Sequence, residues 1–224
     1  MPQHTIILSH SGSNTMKRLL LVVLMLAMVV ALGNSSNAQS KLALGVGADL
    51  LLPMGTFGDN SSIGFGGSVR GQYDVSPMAS VGLTVGYFTW SGKDITTNGV
   101  KVTAPKFSGL PIRAFGKYYF MPEGEKVRFY GMAELGMFFW SVGDATIPAQ
   151  TITVLGFTTT IPAQTVAGGS GSDFNYAPGV GAEFALGSGS TKLDISARYD
   201  AIAAKGATNG SIGARVGVVF PLGN

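Results

Sequence analysis

The chain has 224 residues, enough for one domain, and combines 33 glycines and 10% aromatic residues with only 12% charged residues and no cysteine. The lack of cysteine excludes disulfide frameworks and cysteine nucleophiles. The near balance of 15 basic and 12 acidic residues excludes the strongly basic surface that nucleic-acid binding requires.

The N-terminal region is typical of an export signal. Lys17 and Arg18 precede an uninterrupted apolar run over residues 19–32, and a Ser-Asn-Ala segment offers a cleavage point after Ala38. A membrane-spanning helix is the alternative, but the run of 14 residues is shorter than the ~20 residues that cross a bilayer. The pattern therefore favours a cleaved signal peptide.

We expect residues 1–38 to be removed and residues 39–224 to form the mature domain, with Met16 as the true start of the chain. Cleavage takes away both histidines, so the mature chain has no histidine triad and no histidine-ligated metal. It also takes away two of the 15 basic residues, which leaves a net charge of about +1 against the 12 acidic ones.

Eight segments of the mature chain alternate in polarity with a period of two, which is typical of β-strands. Each is long enough for a tilted transmembrane strand of about 9 to 11 residues. Short turns and longer loops alternate between them. The predicted strands cover residues 42–52, 64–75, 79–90, 107–120, 127–142, 174–186, 192–202 and 210–221, the short turns 76–78, 121–126 and 187–191, and the longer connections 53–63, 91–106, 143–173 and 203–209.

Charged residues occupy one face of these strands. Over residues 127–142 every odd position is uncharged, whereas Arg128 and Glu134 lie on the even face. The charged face also carries many glycines, as a crowded interior requires, so we expect it to line the lumen of a barrel as an ion network. The predicted network is Asp49, Arg70, Asp74, Arg113, Lys117, Arg128, Glu134, Glu183, Asp194, Arg198, Asp200 and Arg215.

The opposite face is apolar and carries aromatic residues near both ends of the strands. A soluble β-barrel would turn this face inward, but its bulk and its aromatic belts favour a barrel whose apolar face meets lipid. We predict one belt near the long loops, formed by Phe65, Tyr87, Phe139, Phe174, Tyr176 and Tyr199, and one near the short turns, formed by Tyr73, Tyr118, Phe120, Phe129, Phe184 and Phe220.

Two prolines fall inside predicted strands, where each removes a backbone N–H from a closed sheet. We expect a bulge or ragged pairing near Pro111 and Pro178.

The third long loop contains an internal repeat, because Ile-Pro-Ala-Gln-Thr occupies residues 147–151 and again residues 161–165. The repeat predicts a protruding hairpin that turns near residues 155–157. A sharper hypothesis is that one of its strand edges binds a partner.

The mature chain resembles the eight-stranded outer-membrane barrels of the OmpA and OmpX type, and the short bacterial proteins with an outer membrane protein beta-barrel domain. The resemblance rests on the export signal, the opening residues 42–48, the repeated glycine-aromatic strands and the closing residues 213–220; residues 221–224 depart from it, since such proteins often end on the final aromatic. It implies an all-β, eight-stranded antiparallel up-and-down transmembrane β-barrel in the bacterial outer membrane. Short turns and both termini would be periplasmic, and long loops extracellular.

The lumen inventory predicts a filled interior. Six basic residues balance six acidic ones, and an eight-stranded barrel is just wide enough for side chains to fill. We expect a monomeric structural or surface-interaction scaffold, without enzyme activity, cofactor or metal, that contacts outer-membrane lipid and binds an extracellular partner through the loop from Gly143 to Asp173. A narrow ion or small-solute channel is the alternative, and a soluble β-barrel binding protein a more remote one.

Overall fold

The computed structural model describes residues 41–97, 100–154, 157–187, 190–204 and 206–222. The predicted signal peptide, with Met16 and the cleavage point after Ala38, lies outside the described residues and stays a prediction. Within the described ranges, no helix has the length and apolar character needed to cross a membrane.

Eight long strands form one closed sheet. Each pairs antiparallel with its neighbours in sequence among the barrel strands, and the last pairs with the first, so the predicted up-and-down barrel is confirmed. In chain order the elements are β1 (Leu42–Pro53), α1 (Gly55–Asn60), β2 (Ser61–Ser76), β3 (Ala79–Gly92), β4 (Asp94–Thr97), β5 (Val100–Thr103), β6 (Phe107–Tyr119), β7 (Val127–Val142), β8 (Ala145–Ile147), β9 (Gln150–Val154), β10 (Phe157–Ile161), β11 (Gln164–Val166), β12 (Gly169–Ala185), β13 (Lys192–Ala204) and β14 (Ala207–Pro221). The barrel consists of β1, β2, β3, β6, β7, β12, β13 and β14.

The two ends of the barrel differ. At one end, which we call the turn end, short connections join β2 to β3, β6 to β7 and β12 to β13. Gly124 and Gly187 in these connections have φ values of 97° and 68°, which residues with a Cβ rarely adopt. The chain also enters and leaves the barrel here, since the Leu222 N–H donates to the Leu42 carbonyl at 2.7 Å. The opposite end, the loop end, carries three longer connections, between β1 and β2, between β3 and β6 and between β7 and β12. The fourth, predicted over residues 203–209, is shorter than expected, because β13 and β14 continue to pair up to Ala204 and Ala207.

The barrel has a polar inside and an apolar outside, because successive side chains of each strand point to opposite faces. In β7, Glu134 has no exposed surface, whereas the adjacent Leu135 is 55% exposed. Arg215 of β14 is likewise fully buried while Val216 is 52% exposed. This arrangement is the inverse of a soluble β-barrel, whose apolar side chains point inward.

Both strand prolines lie where the pairing is ragged, which is one of the two expected outcomes. Between β3 and β6 the pairs at Pro111 and its neighbour Leu110 are missing, although the register is the same on either side. Between β12 and β13 the pairs at Ala177 and Pro178 are missing in the same way. Neither proline shifts the register, so the inward and outward faces are preserved past it.

The loop-end connections are more regular than the sequence indicated. The first contains the six-residue helix α1, and the second contains the hairpin of β4 and β5. Strand β12 begins at Gly169 rather than at the predicted residue 174. Its first residues are glycines and serines without apolar alternation, and their pairing with β7 rather than any side-chain pattern extends the strand.

The third connection forms a hairpin from β8, β9, β10 and β11, which we call the third-loop hairpin. Positions 155 and 156 of the predicted turn lie outside the described residues. Its pairing continues that of the barrel: Val127 faces Phe184 at the turn end, Val142 faces Gly169 at the rim, and Val154 faces Phe157 beyond it. In all these pairs, moving one residue forward in the first strand moves the partner one residue back in the second strand, so the register is constant. The pairing is interrupted at residues 143–144 and 148–149, and it forms two separate two-stranded sheets in the same register. At ~3.3 Å per residue, residues 143–154 have a maximum reach of roughly 40 Å past the rim.

The packing density of the barrel wall can be tested by substitution of Gly136 in β7. A Cβ there would overlap the Ile112 carbonyl oxygen of β6, whereas a Cβ on Gly116 of β6 would have no heavy atom within 4 Å. We expect Gly136→Ala to lower the free energy of unfolding by about 1 to 3 kcal/mol. Gly116→Ala, the matched control, should leave it unchanged. Urea titration of the folded protein in detergent, followed by tryptophan fluorescence, measures both; equal stability of the two variants would contradict this packing.

Candidate functional site

The lumen holds a continuous chain of alternating acidic and basic side chains. On its loop-end side, Asp49 lies 2.8 Å from the Arg198 guanidinium, and Arg198 donates from Nε to Asp200 at 2.7 Å. Asp200 also accepts from Arg113, whose Nε lies 3.0 Å from Glu134 Oε2. These groups come from four strands, so the chain ties opposite walls of the barrel together.

The middle of the chain passes through Glu134 and Asp194. Arg70 donates to Glu134 Oε1 at 2.8 Å and lies 3.5 Å from Asp194. Asp194 also accepts from Arg215 at 2.9 Å and from Lys117 at 3.0 Å. One carboxylate therefore neutralises parts of three cations, and all these side chains are buried.

The series of ion pairs ends near the turn end of the barrel. Glu183 accepts from Lys117 at 2.8 Å and from the Tyr119 hydroxyl at 2.8 Å. It also lies 3.4 Å from Lys192, whose side chain is 27% exposed. Lys192 was not predicted, although it lies two residues before Asp194 in β13 and the period of two therefore places it on the same inward face.

Uncharged side chains also take part in the series of ion pairs, and Ser68 closes it into a ring. The Ser68 hydroxyl donates to Asp49 at 2.7 Å and accepts from Arg215 Nε at 3.0 Å. The Tyr130 hydroxyl donates to Asp194 at 2.8 Å. Sequence reasoning missed these groups because it followed charge alone, although Tyr130 shares the inward face with Glu134.

Arg128 departs from the predicted ion network. It lies at the turn end, where its guanidinium donates to the carbonyls of Pro77 at 2.5 Å and Met121 at 3.4 Å. Its guanidinium carbon is 3.8 Å from the centre of the Tyr119 ring. Alternation predicts the face of a side chain but not its depth, and at this depth the available acceptors are the backbone oxygens of two turns.

Asp74 departs from the predicted network for the same reason. It accepts from the Ser80 hydroxyl at 2.5 Å and from the Gln72 amide at 3.0 Å. It is half-buried near the turn between β2 and β3. Ten of the twelve predicted residues thus belong to the continuous chain, which we call the lumen network, and two form hydrogen bonds at its turn-end mouth.

Aromatic side chains fill the loop end of the lumen. Phe57 of α1 stands edge-on to Trp90 and to Phe107, with both pairs of ring centres 5.5 Å apart. Phe88 lies below, with the guanidinium carbons of two arginines of the lumen network 5.6 and 5.8 Å from its ring centre. We call this cluster the aromatic plug; it consists of Leu51, Phe57, Phe88, Trp90, Phe107, Phe138, Trp140 and Ile202.

The sequence contains a pattern that indicates this plug, although the predicted lumen residues did not include it. Phe138 and Trp140 occupy the same face of β7 as Arg128 and Glu134. Apolar residues on the charged face of a strand end indicate a region of the lumen without ions. Helix α1, which brings Phe57 over them, is too short for its periodicity to be recognised.

The aromatic side chains of the two predicted belts all point outward from the barrel wall. Tyr176 and Phe184 are half-buried and the others are exposed, with Phe120 at 61% and Phe65 at 60%. Neighbouring members contact each other at both ends, since the ring centres of Tyr118 and Phe120 are 6.1 Å apart and those of Phe174 and Tyr176 are 6.3 Å apart. Over the described ranges, no group of three or more acidic or histidine side chains is placed to hold a metal ion.

A closed eight-stranded antiparallel barrel with an ion-paired interior and an apolar outer face has the architecture of a bacterial outer-membrane β-barrel. The model of the family described as "Outer membrane protein beta-barrel domain" matches residues 19–220, and the chain belongs to this family.

Solved structures of the same architecture are similar to the chain. Neisserial surface protein A is 18% identical with a TM-score of 0.53, over 83% of this chain and 99% of that one. The outer membrane protein OprG from Pseudomonas aeruginosa is 12% identical with a TM-score of 0.51, over 80% and 94%. A major outer membrane protein from Thermus thermophilus is 14% identical with a TM-score of 0.50, over 80% and 98%. No curated protein matches the chain. These likenesses support the fold.

Glu134 is the residue whose loss should damage the lumen network most clearly. Glu134→Ala leaves Arg70 and Arg113 without their shared carboxylate in a buried site. We expect a loss of about 3 to 5 kcal/mol in the free energy of unfolding. Glu123→Ala, in an exposed turn, is the matched control and should be neutral. Urea unfolding in lipid vesicles compares them, and equal tolerance would show that Glu134 is not buried in a packed lumen.

Proposed function

We propose that this protein is a non-conducting scaffold of the outer membrane that presents its long loops at the cell surface for contact with other molecules. The observation that carries the proposal is the filled lumen. The lumen network occupies its middle and turn-end parts, and the aromatic plug occupies its loop end. Among the described residues, the longest structure that leaves the barrel is the third-loop hairpin, which supports contact rather than transport as the task of the protein.

The two layers oppose ion passage for different reasons. In the lumen network an ion would have to part salt bridges whose charges lie in a region of low dielectric constant, where each separated group is costly. In the aromatic plug it would have to give up its water against aromatic and aliphatic side chains whose polar side-chain atoms are the indole N–H groups of Trp90 and Trp140. Because the layers lie in series, opening one of them does not create a path.

The proposed orientation places the turn end in the periplasm and the loop end outside the cell. Short periplasmic turns and long extracellular loops are the rule for barrels of this kind. The outward aromatic residues at the two ends fit the two membrane interfaces, and lipid contacts the apolar wall between them. The third-loop hairpin then extends from the cell surface, where the uncharged segment between Asp144 and Asp173 is available to a partner.

Planar-bilayer recording tests the scaffold against a narrow channel. We expect the wild-type protein to give no steady current, because both layers stay closed. Its folded state is checked beforehand by heat-modifiable migration in gel electrophoresis. Steady, reproducible openings whose selectivity changes in the Arg198→Ala variant would reject the scaffold and favour a channel through the lumen network.

Cysteine labelling tests the orientation, since the chain has no cysteine of its own. Thr165→Cys places a thiol on the exposed third-loop hairpin, and Glu123→Cys places one on an exposed turn at the other end. In intact cells we expect a membrane-impermeant maleimide to label the first variant and to spare the second until the outer membrane is disrupted. The reverse pattern would invert the barrel.

A further inference from the structure

One ring of the aromatic plug is not carried by the barrel wall. Phe57 belongs to helix α1, whereas the seven other members of the plug belong to barrel strands. The Phe57 ring stands edge-on to Trp90 and Phe107, at interplanar angles of 65° and 78°. Aromatic pairs prefer this arrangement. The wall therefore forms a site that fits one phenyl ring, and Phe57 occupies it.

Helix α1, which carries this ring, has little stability of its own. Its sequence is Gly-Thr-Phe-Gly-Asp-Asn, and both the two glycines and the length of six residues disfavour a helix in isolation. None of its residues is fully buried, and no side chain caps its N-terminus. We expect α1 to open locally at a free energy far below that of global unfolding.

Few contacts fasten α1 to the barrel. Lys93, which follows β3, donates from Nζ to the Gly58 carbonyl at 2.5 Å and from its backbone N–H to the Asn60 carbonyl at 2.9 Å. The apolar contact of the helix with the wall is made by Phe57, which is only half-buried. Strands β1 and β2 hold both ends of the connection, so α1 moves away from the plug without any change in the closed sheet.

The site also contains a polar atom that Phe57 does not use. Trp90 is buried, and its indole N–H, which lies against Gly64, has no hydrogen-bond partner among the described residues. A buried donor without an acceptor is costly, and the phenyl ring of Phe57 offers no acceptor. A molecule with both a ring and an acceptor would satisfy this part of the plug better than Phe57 does.

We propose that α1 is a lid over a ligand site in the aromatic plug, and that a small neutral molecule with one aromatic ring and a hydrogen-bond acceptor displaces Phe57 from it. The ring of the ligand contacts Trp90 and Phe107, and its acceptor meets the Trp90 indole N–H. This binding activity goes beyond the scaffold function and does not depend on it.

The walls of the site limit what it accepts. Apolar cavities of roughly 150 Å³ in proteins take up benzene-sized molecules, whereas a second ring would meet the buried side chains that fill the rest of the plug. A cation is excluded because the guanidinium groups of Arg113 and Arg198 lie below Phe88. The lumen network beneath the plug stays paired, so a bound ligand does not open a path through the barrel.

Tryptophan fluorescence tests the proposal, because both tryptophans of the chain belong to the plug. Trp140→Phe leaves Trp90 as the single reporter. This full-length parent protein, folded in phospholipid vesicles, is titrated with benzyl alcohol, and only the indole is excited. We expect the Trp90 emission to change saturably. Phe57→Ala in the same background should bind benzyl alcohol about tenfold more tightly, because no ring has to be displaced.

Two controls separate the site from the bilayer. Phe174→Ala makes the same substitution in the outer belt, at an exposed ring, and should bind like the parent protein. Cyclohexylmethanol has the size of benzyl alcohol without its aromatic ring, and should bind about three- to tenfold more weakly. Heat-modifiable migration in gel electrophoresis verifies that each variant is folded.

Three results would overturn the proposal. A response that is linear in benzyl alcohol and equal in all variants reports partition into the bilayer. Saturable binding to Phe57→Ala alone shows that the wild-type lid does not open, and equal affinity of this variant and the parent shows that Phe57 does not occupy the site. The bilayer recording is independent: a silent protein that does not bind keeps the scaffold function and loses this site, and a conducting protein that binds does the reverse.

Discussion

The narrow bore of an eight-stranded barrel is the constraint on which the rest of this structure depends. With room for little besides side chains, a charged group inside is removed from bulk water, and leaving one unpaired costs several kcal/mol. The lumen network meets this constraint by giving every carboxylate at least two partners. Glu134 lies between Arg70 and Arg113, and Asp194 contacts Lys117 as well as two arginines. No single contact therefore holds a buried carboxylate in place alone.

The same constraint explains why the wall is rich in glycine. Arg215 lies across the inner surface of β1, where a Cβ on Gly47 would approach its guanidinium to 2.6 Å, and a Cβ on Gly217 would approach it to 2.8 Å. The ring of Tyr130 lies in the same way against Gly181. Long inward side chains thus occupy the space that a Cβ would fill at these glycines. The inward glycines beside Arg215 and Tyr130 are therefore a requirement of the lumen packing.

The sequence allowed the faces of the strands to be predicted but not the depth of their residues. Inward and outward sides follow from a period of two, and an error of one residue would send a charge into lipid, so the pattern is strongly constrained. Depth has no such signature. Arg128 and Glu134 share a face, yet one bonds to turn carbonyls and the other to two arginines. Many partners of inward residues come from distant strands: Ser68 of β2 bonds Arg215 of β14, and only closure of the barrel brings these two strands to either side of β1.

The register links the buried network to the exposed hairpin. Within the barrel, a slip of one residue between β7 and β12 would turn Glu134 or Glu183 toward the outer face, which the cost of exposing a carboxylate to lipid forbids. Since the pairing runs without insertion from Val127 and Phe184 to Val154 and Phe157, the register chosen in the barrel is also the register of the hairpin. In that register the two copies of Thr-Ile-Pro-Ala-Gln-Thr, at residues 146–151 and 160–165, lie opposite each other. Their alignment outside the barrel is thus fixed by the burial of charge within it.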